Sequence, residues 1–246
     1  MPKFSTVLFD LGSTLIYFDA DWETTMQEAV RVLHRKLLEM GFQLEDSFPQ
    51  AYRSTAREIF RWRDTDLVET PAQEVLRRVM STCGCPELSD SQVRAALAAL
   101  YSVSQAHWHA ESDAVPTLQA LRAQGYQIGL ISNAGYDEDI QVLIDQNGLR
   151  PYLGFIVSSA ACRIRKPDPR IFQLALDHFQ VTPERAVMVG DFLAADVLGA
   201  NRLGMSSVWI TRRADLAVSQ PLLAQIQPGR IISTLSELPA VLSAWD

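Results

Sequence analysis

The sequence predicts an α/β protein whose core is a doubly wound, Rossmann-like parallel sheet interrupted by an inserted α-helical domain. Three observations support this prediction. Apolar segments of strand length alternate with helical segments from residue 114 onward. One more such segment lies near the start of the chain, and residues 18–112 between them have almost no strand pattern.

The first predicted strand, residues 6–9, is apolar apart from Thr6. It leads directly into the polar sequence Asp10-Leu11-Gly12-Ser13-Thr14. A short apolar run closed by a polar turn that contains glycine is typical of a buried strand with functional groups at its carboxyl end.

Residues 18–112 are predicted to form about four helices. The first is indicated by apolar residues at helical spacing between residues 29 and 40, ahead of Gly41, which is a suitable C-cap. The other helical stretches are residues 52–63, 69–80 and 89–108.

From residue 114 helices and strands alternate, which implies parallel strands joined by right-handed crossovers. The predicted strands are residues 127–131, 155–157, 186–189, 207–210 and 230–232. The predicted helices are residues 115–124, 137–146, 169–179, 194–203 and 236–244. The functional site of such a sheet lies at the carboxyl ends of its strands.

The chain has 246 residues, a length between the usual sizes of one domain and two. We divide it into a core domain of residues 1–17 and 113–246 and a helical cap domain of residues 18–112. One domain interrupts the other, so this division requires no separate linker.

The charge balance argues against nucleic acid and membranes as partners. The chain has 22 Lys and Arg residues and 29 Asp and Glu residues, a net charge of −7, whereas both of those partners attract positive proteins. No apolar run approaches the ~20 residues of a membrane helix, and the first residues show no signal-peptide pattern. Cys83, Cys85 and Cys162 do not form a disulfide framework, so we expect a reducing, cytoplasmic location.

Polar residues follow successive strands at the ends that should meet. Asp10 follows the first strand of the predicted sheet, Ser132 and Asn133 the second, Lys166 the third and Asp191 the fourth. A single Asp in such a place is often only a helix N-cap, but two carboxylates at one sheet edge require a cation between them. Hard oxygen ligands suit Mg²⁺, and a lysine suits phosphoryl oxygens. The set therefore predicts phosphoryl transfer.

Four motifs in this order give the chain a resemblance to the haloacid dehalogenase-like hydrolase superfamily. They are Phe9-Asp10-Leu11-Gly12-Ser13-Thr14-Leu15, Leu130-Ile131-Ser132-Asn133, Arg165-Lys166-Pro167-Asp168-Pro169-Arg170-Ile171-Phe172, and Val189-Gly190-Asp191 followed by Asp196. The helical insert after the first motif resembles the cap domain of the branch that contains phosphoglycolate phosphatases and 2-haloacid dehalogenases.

The resemblance implies catalytic and metal-binding roles at four positions. Asp10 is expected to be the nucleophile that forms an aspartyl intermediate, and Lys166 to neutralise charge and position Asp10. Mg²⁺ is expected to be held by the carboxylates of Asp10 and Asp191 and by the backbone carbonyl of Gly12.

The resemblance also implies a substrate-binding set and a supporting set. Ser132, Asn133 and Lys166 are expected to bind the phosphoryl oxygens of a small phosphorylated substrate. Asp196 and Thr14 are expected to lie behind them, where Asp196 orients Lys166 or metal-bound water.

Gly12 departs from the pattern of the family's phosphatases, which carry a second Asp two places after the nucleophile. That Asp is a general acid and base, and such catalysis typically contributes ~10²–10⁴-fold. A glycine cannot transfer a proton, so we expect slow hydrolysis of alkyl phosphates and a smaller loss for aryl phosphates. We also expect Gly12→Asp to raise turnover on alkyl phosphates.

Three functions remain open on the sequence. The first is a magnesium-dependent phosphatase, weakened or specialised by Gly12. The second is a metal-independent 2-haloacid dehalogenase, since the displacement of halide from carbon needs no proton. The Gly190-Asp191 pair favours the phosphatase, because the family's dehalogenases lack it. The third is a non-catalytic binding or regulatory protein that keeps the fold.

Several cap residues have two interpretations. Arg53, Arg57 and Arg61 share a helix face, which is either a solvated face or a contact for an anionic substrate. Four aromatic residues either line a pocket or pack helices together: Trp22, Tyr52, Phe60 and Trp62. His107-Trp108-His109 suggests a metal site, but we interpret it as helix surface or core, because no nearby carboxylate or thiol cluster completes such a site.

Overall fold

The computed structural model describes residues 3–245 and confirms the predicted α/β architecture. Met1, Pro2 and Asp246, which belong to the predicted core domain, lie outside the described residues. The strands are β1 (Thr6–Phe9), β2 (Ile16–Phe18), β3 (Trp108–Ala110), β4 (Gln127–Ser132), β5 (Phe155–Ser158), β6 (Ala186–Gly190), β7 (Ser206–Ile210) and β8 (Arg230–Ile232).

The main sheet is parallel throughout, in the order β5-β4-β1-β6-β7-β8. Its central strand β1 is completely buried, as its apolar sequence predicts. The chain adds β4 and β5 on one side of β1 and then β6, β7 and β8 on the other. The strand order therefore reverses at β1, and the carboxyl ends of β1, β4 and β6 lie side by side at this switch point.

The helices cover both the inserted stretch and the crossovers between strands. They are α1 (Trp22–Glu39), α2 (Phe48–Phe60), α3 (Arg63–Asp66), α4 (Ala72–Thr82), α5 (Asp90–Gln105), α6 (Ala114–Ala123), α7 (Asp137–Gln146), α8 (Ser159–Cys162), α9 (Pro169–Phe179), α10 (Leu198–Arg202), α11 (Leu216–Ser219) and α12 (Leu238–Ser243). A π-helical turn, Leu193–Val197, precedes α10 where the sequence predicts one regular helix. No helix within residues 3–245 combines the length and the apolar character that a membrane crossing requires.

The inserted helices have a hydrophobic cluster of their own. Helices α1, α2, α4 and α5 supply most of its buried residues, among them Leu33, Leu37 and Leu97, and Tyr136 joins it from the loop before α7. The spacing that predicts α1 from the sequence is thus the spacing of its buried face. The exact bounds of the two domains remain a prediction.

The prediction of a helix over residues 89–108 is wrong at its end. Helix α5 ends at Gln105, and β3 pairs antiparallel with β2, so that Trp108 lies opposite Phe18. The helical placement of His107 and His109 is also wrong, since His107 lies in a turn and His109 in β3. One ring nitrogen of each histidine forms a 2.9 Å hydrogen bond with a different oxygen of Asp19. Because β2 and β3 are far apart in sequence, this pairing cannot be predicted from local hydrophobic periodicity.

The helical insert contacts the rest of the chain next to Lys166. The backbone N–H of Glu69 donates to the carbonyl oxygen of Arg163 at 3.1 Å, and that of Arg165 donates to the carbonyl oxygen of Leu67 at 2.9 Å. The carboxylate of Glu69 is fully buried, accepts a hydrogen bond from Ser159 Oγ at 2.7 Å and forms an ion pair with Arg165. A buried ion pair therefore joins the insert to the loop that carries Lys166.

Glu69→Ala should lower the free energy of unfolding by about 3–5 kcal/mol, because it leaves the buried Arg165 guanidinium without its main partner. The matched control is Glu74→Ala, which removes an exposed ion pair with Arg163 and should change stability by less than about 1 kcal/mol. Urea denaturation measures both. Equal losses in the two variants would show that the buried pair is no more stabilising than an exposed one.

Candidate active site

The structure brings the polar residues predicted at the strand ends to one edge of the sheet. Asp10 directly follows β1, Asp191 directly follows β6, and Ser132 is the last residue of β4. Because β1 pairs with both β4 and β6, these three side chains lie around the switch point. Lys166 reaches the same place from the segment between α8 and α9.

The ammonium group of Lys166 is buried and makes three hydrogen bonds, one for each of its protons. It donates to Asp10 Oδ1 at 2.6 Å, to Asp196 Oδ1 at 2.6 Å and to the backbone carbonyl of Ile131 at 2.8 Å. Burial lowers the pKa of Lys166, but the charges of Asp10 and Asp196 outweigh burial and raise that pKa to about 12. Lys166 is therefore a fixed cation beside Asp10.

The side chain of Asn133 fixes the backbone of Lys166. Asn133 Nδ2 donates to the carbonyl oxygen of Lys166 at 3.0 Å, and Asn133 Oδ1 accepts from its N–H at 2.8 Å. Both ends of the Asn133 side-chain amide thus have hydrogen-bond partners in the protein. The predicted contact of Asn133 with a phosphoryl oxygen therefore stays a prediction, and it would have to come from the backbone of this residue. Ser132 is buried, and it lines the cavity above Asp10.

Asp196 lies behind Lys166 on the π-helical turn. Its Oδ1 accepts from Lys166, and its Oδ2 accepts from the backbone N–H of Phe192 at 3.0 Å. Gly190 makes room for this carboxylate, since a Cβ at position 190 would lie 2.2 Å from Asp196 Oδ2. Thr14 Oγ1 donates to Asp191 Oδ1 at 3.4 Å. Asp196 and Thr14 thus contact Lys166 and Asp191 respectively, and their supporting role stays a prediction.

Three carboxylates share this site with one ammonium group. One oxygen each of Asp10, Asp191 and Asp196 lies within 4.8 Å of the others, so three ionisable carboxyl groups share the site with the single ammonium group of Lys166. Burial raises the pKa of Asp10 to about 6, and burial together with the charge of Asp10 raises that of Asp191 to about 8. A bound cation would reverse both shifts.

The donor set fits a hard divalent cation. Both oxygens of Asp196 accept protein hydrogen bonds, which leaves Asp10 and Asp191 as the carboxylates with oxygens to offer. Carboxylate oxygens, supplemented by a backbone carbonyl and by substrate oxygens, are ligands that Mg²⁺ accepts. The fit rests on the excess of negative charge and on the identity of the ligand atoms.

A cavity of about 460 Å³ opens above Asp10 and lies between the sheet edge and the helical insert. Its floor is polar and includes Asp10, Lys166 and Asp191. Its walls are mainly apolar side chains, and those that come from the insert or its connecting strands are Ile16, Trp22, Met26, Phe60 and Trp108. The site therefore presents a charged floor beneath an aromatic and aliphatic enclosure.

Two charged residues of this wall were not singled out in the sequence. Arg63 lines the cavity with its guanidinium 4.6 Å from the Phe60 ring, and burial lowers its pKa. Asp139 accepts a 2.8 Å hydrogen bond from Gln105, and burial raises its pKa to about 6. Neither stands in a recognisable motif, so only the three-dimensional arrangement identifies them.

The arginine row has a different position from Arg63. Arg53 and Arg57 lie 3.9 Å from Glu23, Arg61 is exposed, and none of the three lines this cavity. The interpretation of the row as a solvated face is thus the better one. Of the four aromatic residues, Trp22 and Phe60 line the cavity, Tyr52 is buried among helices, and Trp62 is exposed.

Known proteins resemble the chain over most of its length. The haloacid dehalogenase-like hydrolase family matches residues 4–204. A glyceraldehyde 3-phosphate phosphatase of Methanopyrus kandleri is 31% identical over 211 residues, which are 84% of this chain and 83% of that protein. An (S)-2-haloacid dehalogenase 1 of a Pseudomonas species is 35% identical over 131 residues, 53% of this chain and 55% of that protein.

A solved structure extends the similarity to the whole chain. The 2-haloacid dehalogenase of Pseudomonas syringae pv. Tomato has a TM-score of 0.68 and 25% identity to this chain, and the match covers 99% of this chain and 100% of that one. Both phosphatases and dehalogenases are therefore among the similar proteins, and the choice between these activities has to come from the site.

Gly190→Ala should lower the free energy of unfolding by about 1–3 kcal/mol, because the new Cβ would overlap the carboxylate of Asp196 and displace it from Lys166. The matched control is Gly135→Ala, whose Cβ would meet its nearest neighbour, the Tyr101 hydroxyl, at an ordinary 3.6 Å. Denaturation of both variants measures the difference. A Gly190→Ala protein as stable as the control would mean that Asp196 has room to move.

Proposed function

Because the chain belongs to the haloacid dehalogenase-like hydrolase family, we propose that it is a Mg²⁺-dependent phosphatase that acts on a small phosphorylated metabolite through an aspartyl-phosphate on Asp10. One observation carries this proposal. Asp191 lies beside Asp10 with carboxylate oxygens within 4.8 Å, in a site where Lys166 balances only part of the negative charge. A reaction that needed Asp10 alone would gain nothing from a second carboxylate at this distance.

In the proposed first step a carboxylate oxygen of Asp10 attacks the phosphorus atom of the substrate. A P–O bond to Asp10 forms, and the P–O bond to the leaving group breaks with its electron pair on the leaving oxygen. In the second step a water oxygen bonds to phosphorus and the bond to Asp10 breaks, which restores the carboxylate and releases inorganic phosphate. One water molecule is consumed in each turnover.

The chain's own residues prepare Asp10 for this role. Lys166 holds one oxygen of Asp10 at 2.6 Å, which fixes the direction of the other. The Ser132 hydroxyl is proposed to donate to a phosphoryl oxygen, since it lines the same cavity. When bound by Asp10, Asp191 and the Gly12 carbonyl, Mg²⁺ supplies the positive charge that a phosphate dianion and two carboxylates require.

A second candidate is a metal-independent 2-haloacid dehalogenase, and two observations favour it. Position 12 has no proton-transfer group, and the cavity wall is mostly apolar. In that reaction Asp10 bonds to the carbon that bears the halogen, halide leaves with the bonding electrons, and water hydrolyses the ester. Asp191 argues against it, because that reaction has no use for a second carboxyl group whose ionisation burial and the charge of Asp10 oppose.

The proposed setting is the cytoplasm, with a small molecule as the partner. Cys83, Cys85 and Cys162 are free thiols, which suits a reducing compartment. The net charge of −7 disfavours anionic polymers and membrane surfaces, whereas a small phosphate ester meets the local charge of Lys166 and Mg²⁺ inside the cavity.

Phenyl phosphate should be hydrolysed in the presence of Mg²⁺, with activity lost on addition of EDTA and in Asp10→Asn, because that variant has a neutral and much weaker nucleophile. Asp46→Asn, an identical change at an exposed position, should retain full activity. Release of inorganic phosphate measures the reaction. The same panel includes 2-chloropropionate, with released chloride as the readout.

Chloride release that EDTA does not affect would establish the dehalogenase instead. Phosphate release that survives Asp10→Asn would remove Asp10 as the nucleophile. If neither product forms while Mg²⁺ and phosphate still bind, the chain is the non-catalytic member of the three alternatives.

Mg²⁺ should stabilise the folded protein by about 2.7 kcal/mol at 100 times its Kd, because it binds the native carboxylates and not the unfolded chain. Asp191→Asn should remove most of this gain. It should also stabilise the metal-free protein, since burial and the charge of Asp10 both disfavour the ionised form of Asp191 and raise its pKa to about 8. Thermal denaturation with and without Mg²⁺ tests both expectations, with Asp46→Asn as the control. An unchanged Mg²⁺ effect in Asp191→Asn would place the ion elsewhere.

A further inference from the structure

Trp108 occupies the space in front of Gly12. A Cβ built on Gly12 would lie 3.4 Å from Trp108 Cη2 and 3.7 Å from Cζ3, so the edge of the indole ring lies where a side chain at position 12 would begin. This Cβ would be in van der Waals contact with the ring, so a carboxylate that extends from it toward Trp108 would have to displace the indole. The indole of Trp108 thus packs in the space that is free because position 12 has no side chain.

The position of the indole is fixed by the strand pair that the sequence does not reveal. Trp108 lies on β3 opposite Phe18 of β2, and the two rings pack at 5.2 Å between centroids. Trp108 is half-buried, it packs against the main hydrophobic core, and it lines the cavity together with Asp10. One side of the ring therefore packs against Phe18 and the core, and the other side faces the cavity that also contains Asp10.

We propose that Trp108 is the specificity-determining contact for an aromatic leaving group, so that the substrate is a phosphate monoester of a planar phenolic or enolic hydroxyl. This proposal rests on the proposed function, since it concerns the leaving group of the same phosphoryl transfer. Phe60 and Trp22 on the helical insert complete the aromatic enclosure.

The chemistry of the leaving group agrees with this enclosure. When the P–O bond breaks, the electron pair stays on the leaving oxygen, and an alkoxide requires a proton at that moment. A phenolate does not, because a phenol has a pKa near 10, as the tyrosine side chain illustrates. The same ring that makes the oxygen a good leaving group also packs against an indole face or edge. An aromatic ring on the leaving group would therefore remove the need for a general acid at position 12 and would also pack against the apolar wall of the cavity.

The first test separates ring contact from leaving-group acidity. Phenyl phosphate and hexafluoroisopropyl phosphate release leaving groups of similar acidity, but only the first is aromatic. Trp108→Leu should raise KM for phenyl phosphate roughly 2- to 10-fold and leave that for hexafluoroisopropyl phosphate unchanged, whereas Trp108→Phe should retain most of the preference. Trp62→Leu, at an exposed tryptophan outside the cavity, is the matched control and should change neither value.

A binding measurement makes the test independent of turnover. Phenylphosphonate and methylphosphonate cannot be hydrolysed, and calorimetry with the Mg²⁺-loaded protein gives their Kd values. Trp108→Leu should weaken phenylphosphonate by the same 2- to 10-fold and leave methylphosphonate unchanged. This arm decides the ring contact even if no phosphate ester is turned over, so failure of the proposed function is distinguishable from failure of this inference.

The second test addresses the packing of Trp108 on Gly12. Gly12→Asp alone should not raise kcat on propyl phosphate, because the indole blocks the carboxylate, which revises the expectation drawn from the sequence alone. Gly12→Asp combined with Trp108→Leu should raise it roughly 10²-fold. The two substitutions should also be non-additive in stability, with Trp108→Leu relieving the destabilisation caused by Gly12→Asp.

Three results would overturn the proposal. Trp108→Leu could weaken the aromatic and non-aromatic ligands equally, which would make the indole a structural residue. Gly12→Asp alone could match the double variant, which would mean that Trp108 does not occupy the space. Finally, wild-type turnover of propyl phosphate could be lost in Asp139→Asn, which would identify a proton donor within the cavity and remove the need for an acidic leaving group.

Discussion

The buried ammonium of Lys166 is the interaction on which the rest of the site depends. Its three hydrogen bonds reach Asp10 after β1, the Ile131 carbonyl in β4 and Asp196 in the turn after β6. One cation thus ties together the carboxyl ends of the three strands that meet where the sheet order reverses. Without Lys166, Asp10 and Asp196 would be buried carboxylates with no counter-charge, and the loss of their hydration would strongly destabilise the folded protein.

The position of Lys166 is itself determined from two sides. Asn133 holds its backbone through both ends of an amide, and the residue before it, Arg165, forms a buried ion pair with Glu69 of the helical insert. The insert that walls the cavity is therefore anchored one residue away from the cation that binds Asp10. In a site of this kind, the placement of the cavity wall and the placement of the charged floor are parts of one network.

The sequence predicts those features that depend on local pattern and on the geometry of parallel sheets. Strand β1 and helices α7 and α9 follow from runs of apolar residues at fixed spacing. The meeting of Asp10, Ser132 and Asp191 follows because parallel strands end at one edge, and Lys166 reaches them from the segment between α8 and α9. What the sequence does not reveal comes from pairings between distant segments. Strand β3 is defined by β2, about 90 residues earlier, so residues 106–108 read as the end of a helix.

The same distinction explains the side chains. Periodicity places Arg53, Arg57 and Arg61 on one helix face but does not say what that face meets. Among the described residues, the arginine that lines the cavity is Arg63. The sequence likewise offers Asn133 as a phosphate ligand, whereas its amide is engaged by the backbone of a residue 33 positions later. In each case the residue type indicates polarity, and the partner is fixed only by folding.

The two candidate reactions begin with the same attack by Asp10, so the discriminating feature has to lie in the charge around it. A phosphate ester brings negative charge to the floor of the cavity, and a floor with three carboxylates and one ammonium accepts it only with a further cation. A fourth carboxylate at position 12 would increase that repulsion, whereas glycine beneath an indole adds none and keeps the leaving-group end apolar. The cavity is therefore polar at the floor, beside Asp10, and apolar along its walls, where the proposed leaving group would lie. A substrate that matches it carries its charge at one end and an apolar, electron-withdrawing body at the other.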